Sequence, residues 1–155
     1  MAGGAGMRSV VLAVDGSAHA RRAAAFVARL APPPGGRVSV VAVVEPMRAP
    51  TLPLVPSSTR GLVARAAADL ERDQLAAGRR RALAGVRAVA KGGWRARPSV
   101  RLGVPLTEIL REVDEARADL LVVGARGTSG LARLLLGSVA DGALHLARVP
   151  VLVVK

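Results

Sequence analysis

Five short apolar runs alternate along the chain with stretches whose apolar residues recur every three or four positions. Ser9–Val14, Val38–Val44, Leu120–Gly124 and Pro150–Val154 are nearly continuous in Val, Leu and Ala, the pattern of strands buried on both faces. Ser99–Leu102 is a poorer run with Arg101 inside it, which suits the edge of a sheet. Between these, Ser17 stands where an N-cap belongs. Ala23, Phe26, Val27 and Leu30 then form a helical stripe opposite Arg21, Arg22 and Arg29, and Pro32-Pro33-Pro34-Gly35-Gly36 ends it. Pro105 opens a helix with Leu106, Ile109, Val113 and Ala116 on one side, and Ser138–Ala147 reads as another.

The region between the second and third strands is less regular. Residues 45–61 contain four prolines and little periodicity, so they read as a loop. Leu62–Lys91 reads as a long helix whose apolar register drifts, from Leu62, Ala66 and Leu70 to Leu75, Ala82, Val86 and Val89. Gly78 and Gly85 each weaken it by about 1 kcal/mol, and a bend or break near Gly78 is expected. The β-α alternation with continuous apolar strands predicts a doubly wound α/β fold. Five parallel strands are covered by helices on both faces, and right-handed crossovers restrict the order to a few possibilities. Residues 1–7 read as a disordered small-residue tail with Met7 as a candidate start, and 8–155 as a single domain.

Composition narrows the chemistry. The chain of 155 residues has one Phe, one Trp, no Tyr and no Cys, so its core is aliphatic and it has no thiol chemistry. No apolar run approaches the roughly 18 residues needed to cross a bilayer, and a soluble, cytoplasmic protein is expected. The formal charge is +12, and eleven of the 23 basic residues fall between Arg60 and Arg101. Nearly all of the 23 are arginine, and a solvated basic face explains them more simply than a specific partner does.

Candidate chemistry gathers at the strand ends, where doubly wound sheets bind ligands. Gly124-Ala125-Arg126-Gly127 follows the fourth strand, and nine residues later Gly137-Ser138 opens a helix. A loop of free N–H groups and a helix N-terminus can together surround phosphate oxygens, and Arg126 adds a planar fork of donors. Asp15, the only acid in the first 44 residues, follows the first strand. It can accept hydrogen bonds from ribose hydroxyls, or simply cap the first helix. Backbone beyond the second strand, near Val43, can read an adenine edge. Each glycine alone would suit an ordinary turn; the combined spacing is what points to a nucleotide.

The segments LAVDGSAHA, VAVVEP and GVPLTEILREVDEARADLLVVGARGTSGLARLLLGSVADGALHLARVPVLVVK resemble, in this order, the universal stress protein family. The resemblance runs from Arg8 to Lys155, apart from about Pro46 to Arg97, where no specific motif is evident. It implies a sheet in the order 3-2-1-4-5. It also implies ATP, with or without Mg²⁺, with ribose on Asp15, adenine on backbone near Val14 and Val43, and phosphates on Gly124, Arg126, Gly127, Gly137, Ser138 and Val139. Ala140 stands where some members carry a hydroxyl. The apolar last strand, Val151–Val154, is an edge that attracts pairing, and with the resemblance it predicts a two-fold homodimer.

Other readings are weaker. There is no G-x4-G-K-[ST] and no G-x-G-x-x-G opening directly into a helix. The acid cluster of a receiver domain is also missing. Two separated histidines, His19 and His145, make no metal set and read as surface or packing residues. Slow ATP hydrolysis would have to rest on Mg²⁺ and phosphate positioning alone. The sequence therefore favours a nucleotide-responsive regulatory module of stress response. Its competitor is a basic scaffold binding nucleic acid or an acidic partner through Arg79–Arg101. Trp94 would be that scaffold's one stacking platform, if it does not pack against the sheet instead.

Overall fold

A computed structural model describes residues 7–46, 56–128 and 136–155. The elements run β1 (Ser9–Ala13), α1 (Ala18–Arg29), β2 (Arg37–Val44), α2 (Ser57–Ala90), β3 (Arg95–Leu102), α3 (Pro105–Glu115), β4 (Leu120–Gly124), α4 (Ser138–Leu146) and β5 (Val151–Val154). They form one parallel sheet in the order β3-β2-β1-β4-β5. The expected doubly wound architecture is what the chain adopts. The tail at residues 1–6 lies outside the described residues, as do 47–55 of the proline-rich loop and 129–135 of the glycine loop.

Strand alternation divides the aliphatic core into two layers. Val10, Leu12, Val38, Val40 and Val122 face α1 and α2, meeting Ala23, Ala24, Val27, Ala82 and Val89. Val11, Val41, Leu121 and Val123 face the other way, against Ile109 and Val113 of α3 and Ala140 and Ala143 of α4. Ser17 caps α1 as expected, its hydroxyl accepting from the Ala20 N–H at 3.1 Å. Trp94 is buried at the end of α2, and its indole N–H is shared between the carbonyls of Val27 and Leu30, each at 3.0 Å. It packs into the core and offers no stacking platform.

Two elements differ from expectation. The helix α2 begins at Ser57, directly after Pro56, and runs unbroken for 34 residues. Proline is accepted at a helix start because its missing N–H would have no intrahelical partner there. No break occurs at Gly78, because that glycine serves packing. A β-carbon there would lie 2.8 Å from Val44 Cγ2, and one at Gly85 would lie 2.7 Å from Val40 Cγ1. The two glycines let α2 sit directly on β2.

The second difference is β3, which extends back to Arg95 and includes Pro98. The amides of Arg95 and Gly103 both donate toward the β2 side, to Gly36 O just before that strand (3.3 Å) and to Val44 O (2.9 Å). Strand alternation therefore turns the nitrogen of Pro98 outward, where none of the described strands pairs.

Candidate functional site

The carboxyl ends of β1, β2 and β4 open into one cleft of about 430 Å³, within the usual range for small-ligand sites. All nine residues singled out from the sequence line it: Val14, Asp15, Val43, Gly124, Arg126, Gly127, Gly137, Ser138 and Val139. They come from three strand ends and the first turn of α4, and the order of the sheet is what brings them together.

Asp15 ties the two sides of the cleft. Its Oδ1 accepts from the Ser17 N–H at 2.8 Å, and its Oδ2 accepts from the Thr128 N–H at 3.0 Å. Each carboxylate oxygen has a second lone pair, so one acceptor position remains on each. Ser17 reinforces the junction by donating its hydroxyl to the Arg126 carbonyl at 3.2 Å. Helix capping and loop anchoring are thus done by the same short stretch after β1.

The two ends of the glycine signature also meet. Gly137 N–H donates to the Ala125 carbonyl at 2.8 Å, and a β-carbon on Gly137 would lie 3.3 Å from Arg126 Cα. Gly124 passes α1 so closely that a β-carbon there would stand 2.8 Å from Ala20 N, and one on Gly127 would stand 2.8 Å from Asp15 Oδ2. Gly137 caps α4, so the free amides of that helix begin at Ser138, beside Gly127. This arrangement presents amide donors and a positive dipole end to one space, which suits an anion.

The β2 side differs in detail from the sequence reading. The Val14 N–H is taken by Val41 O at 2.9 Å, so it is not a donor to a ligand. Alternation from Val41 turns the peptide groups of Val43 the same way, past Ala13, the last residue of β1 in the ladder. Val43 therefore lies at the open end of the ladder with Val14 beside it, and both line the cleft.

The wall contributed by α2 was not foreseen. Gln74 and Arg81 both line the cleft, as does Glu45 beyond β2. Positions 74 and 81 are seven apart, two turns along one helix face, but only the packing of α2 on the sheet reveals which face that is.

The basic segment does not form one surface. Arg81 faces the cleft, whereas Arg97 and Arg101 lie under α3 on the opposite face of the sheet, bound to buried Glu112. Glu112 accepts from Ser39 Oγ at 2.5 Å, Arg97 Nη2 and Ser99 Oγ at 2.7 Å, and Arg101 Nε at 2.8 Å. Burial pushes its carboxyl up, but these donors and the charge of Arg97 outweigh burial and hold it below its ordinary value. Arg101 is held above its ordinary value chiefly by its hydrogen bond to Glu115, against burial, with Glu112 adding to the effect. Of the histidines, His19 is half-buried behind Gly124, and His145 is exposed on α4 near the Asp141 carbonyl. Among the described residues no group of acids and histidines is placed to hold a metal ion, and no helix is long and apolar enough to cross a membrane.

The profile of the universal stress protein family matches residues 6–155. The chain belongs to that family. A universal stress protein of Thermus aquaticus, named for the 3′ region of the QAH/OAS sulfhydrylase, is 34% identical over 148 residues, covering 96% of this chain and 98% of that protein. A universal stress protein of Methanocaldococcus jannaschii, MJ0531, is 51% identical over 53 residues, a match spanning 34% of this chain and 31% of that protein's length.

Among solved structures, MJ0577 of the same archaeon superposes with a TM-score of 0.79 at 19% identity, over 96% of both chains, and shows the fold. A universal stress protein solved in complex with cAMP has a TM-score of 0.60 at 26% identity, over 96% of this chain and 97% of that one.

Proposed function

We propose that this universal stress protein is an ATP-binding regulatory module of the cytoplasm that responds to stress through its nucleotide state. The observation that carries the reading is the convergence of Asp15, the glycine loop and the α4 N-terminus on one cleft. In this reading the remaining acceptor positions of Asp15 take ribose hydroxyls, and the strand-end backbone at Val43 takes the adenine edge. The amides around Gly127, Gly137, Ser138 and Val139, with Arg126, take the phosphates. Gly124 supplies the close approach to α1 that sets the loop in place. The residues present suit a nucleotide, because at Gly127 and Gly137 a β-carbon would crowd the backbone and carboxylate that form the cradle. Mg²⁺, when bound, would offset phosphate charge.

The cAMP complex of the related protein supports an adenine nucleotide as the ligand class. The open edge of β5 supports a two-fold dimer built on Val151–Val154, whose side chains are only half-buried in the monomer. Sedimentation at tens of micromolar checks the dimer, and a monomer at that concentration contradicts it.

Calorimetry with ATP, with and without Mg²⁺, tests the site. Micromolar binding to the wild type, lost in Gly127→Val, is the expected result. No binding to the intact protein overturns the reading.

A further inference from the structure

The helix α2 carries three consecutive arginines, and they have different surroundings. All three are exposed, and of them only Arg81 lines the cleft. Its stem lies against Gly16, where a β-carbon would be 3.6 Å from Arg81 Cδ, 3.7 Å from Cγ and 3.8 Å from Nε. Gly16 has φ +86°, a conformation that favours glycine, so the arginine stem lies beside the tight turn after β1. The next residue, Ser17, donates to the Arg126 carbonyl. Arg81 therefore borders the turn that is bonded to the glycine loop, and it enters the cleft from α2.

Among the described residues Arg81 makes no hydrogen bond or ion pair. Asp15, beside Gly16, gives its carboxylate to backbone amides and does not pair with it. A guanidinium without a carboxylate, held at its stem and bordering a cleft rich in amide donors, is complementary to an anion. Its fork suits phosphate, where it forms two charge-assisted hydrogen bonds.

We propose that Arg81 is a specificity-determining residue of the cleft that contacts the phosphate chain and makes affinity depend on phosphate number. This rests on the nucleotide reading above and adds to it a contact from α2. The donors of the glycine loop grip the phosphates from one wall, and Arg81 meets them from the other. The nucleoside end, held by Asp15 and the strand backbone, owes Arg81 nothing.

The test is calorimetry of adenosine, AMP, ADP and ATP on the wild type, Arg81→Gln, Arg81→Lys and Arg80→Gln. Arg80→Gln removes the same net charge from the same helix outside the cleft, and so accounts for the general field of a basic protein. Circular dichroism confirms that each variant is folded. Arg81→Gln is expected to weaken ATP about tenfold or more, equivalent to about 1.4 kcal/mol. It should leave adenosine within about twofold and flatten the series from AMP to ATP. Arg81→Lys, which keeps the charge and loses the fork, should fall between. Equal losses for all four ligands, or no greater loss than in Arg80→Gln, would overturn the inference while the nucleotide site stands. Failure of the wild type to bind any of the four would overturn the site reading itself, and this inference with it.

Discussion

Asp15 Oδ2 accepts the amide hydrogen of Thr128 at 3.0 Å, joining positions 113 residues apart in the chain. Asp15 also accepts the amide hydrogen of Ser17, the cap of α1, so the start of that helix and the shape of the glycine loop are coupled.

Substitution at Asp15 should expose that coupling. Asp15→Ala removes the acceptors of both the Ser17 and Thr128 amides, and a loss of about 1–2 kcal/mol is expected from urea unfolding. Asp15→Asn keeps one carbonyl oxygen but replaces the other with a donor, so it should cost less stability than alanine. Amide exchange at Thr128 should accelerate in both variants. If exchange there is unchanged, the bond to Asp15 does not hold the loop.

Glu112 makes stability depend on acidity. Its folded pKa lies below the ordinary 4.5, so in acid the unfolded chain binds more protons than the native one. The contribution is complete above the ordinary carboxylate value and is lost as pH falls through the folded value. Glu112→Gln should therefore give a flatter urea midpoint between about pH 5 and pH 3. It should also lower stability at neutral pH by about 1–3 kcal/mol, since Ser39, Ser99, Arg97 and Arg101 lose a charged acceptor while Arg101 keeps Glu115. A variant with the wild-type pH slope would show that other carboxylates set it.

Glycines of α2 should respond oppositely to alanine. Gly61→Ala has nothing within 4 Å of the new β-carbon and should gain up to about 1 kcal/mol from helix propensity. Gly85→Ala places its β-carbon 2.7 Å from Val40 Cγ1 and should lose about 1–3 kcal/mol through overpacking. Thermal midpoints of the two variants provide the comparison. Stabilisation by Gly85→Ala would mean that α2 can lift off the sheet without cost.

The single tryptophan reports on the core. Trp94 is 3% exposed, so native emission should be blue-shifted and should move to the red on unfolding. Adding single-stranded DNA should leave it unchanged, because the ring is covered and its N–H engaged. Quenching of the native emission by DNA at low salt would restore the stacking reading.

Strand identity was legible wherever both faces of a strand meet aliphatic side chains, as in β1, β2 and β4. It was obscured in β3, where Arg95, Arg97, Ser99 and Arg101 occupy one face. Two of those arginines are matched to glutamates of α3, a pairing that single-strand hydropathy does not register. The start of α2 was hidden by prolines that end at Pro56, one residue before the helix. In the cleft, the glycine spacing and Asp15 stood out because each lies next to a recognisable strand end. Gln74 and Arg81 did not, since a helix face acquires its meaning only when tertiary packing aims it.

Pro98 bears on how many copies can join. Its nitrogen points outward from β3, in the middle of one border of the sheet, and interrupts the row of donors that an incoming strand would need. Only the opposite border, at β5, has an unbroken backbone to offer. In the dimer proposed above, two molecules meeting through β5 would each be left, among the described residues, with the Pro98 border as the remaining edge of the sheet. The same proline that complicates reading the sequence therefore works against strand addition at that border, and so against fibrous growth.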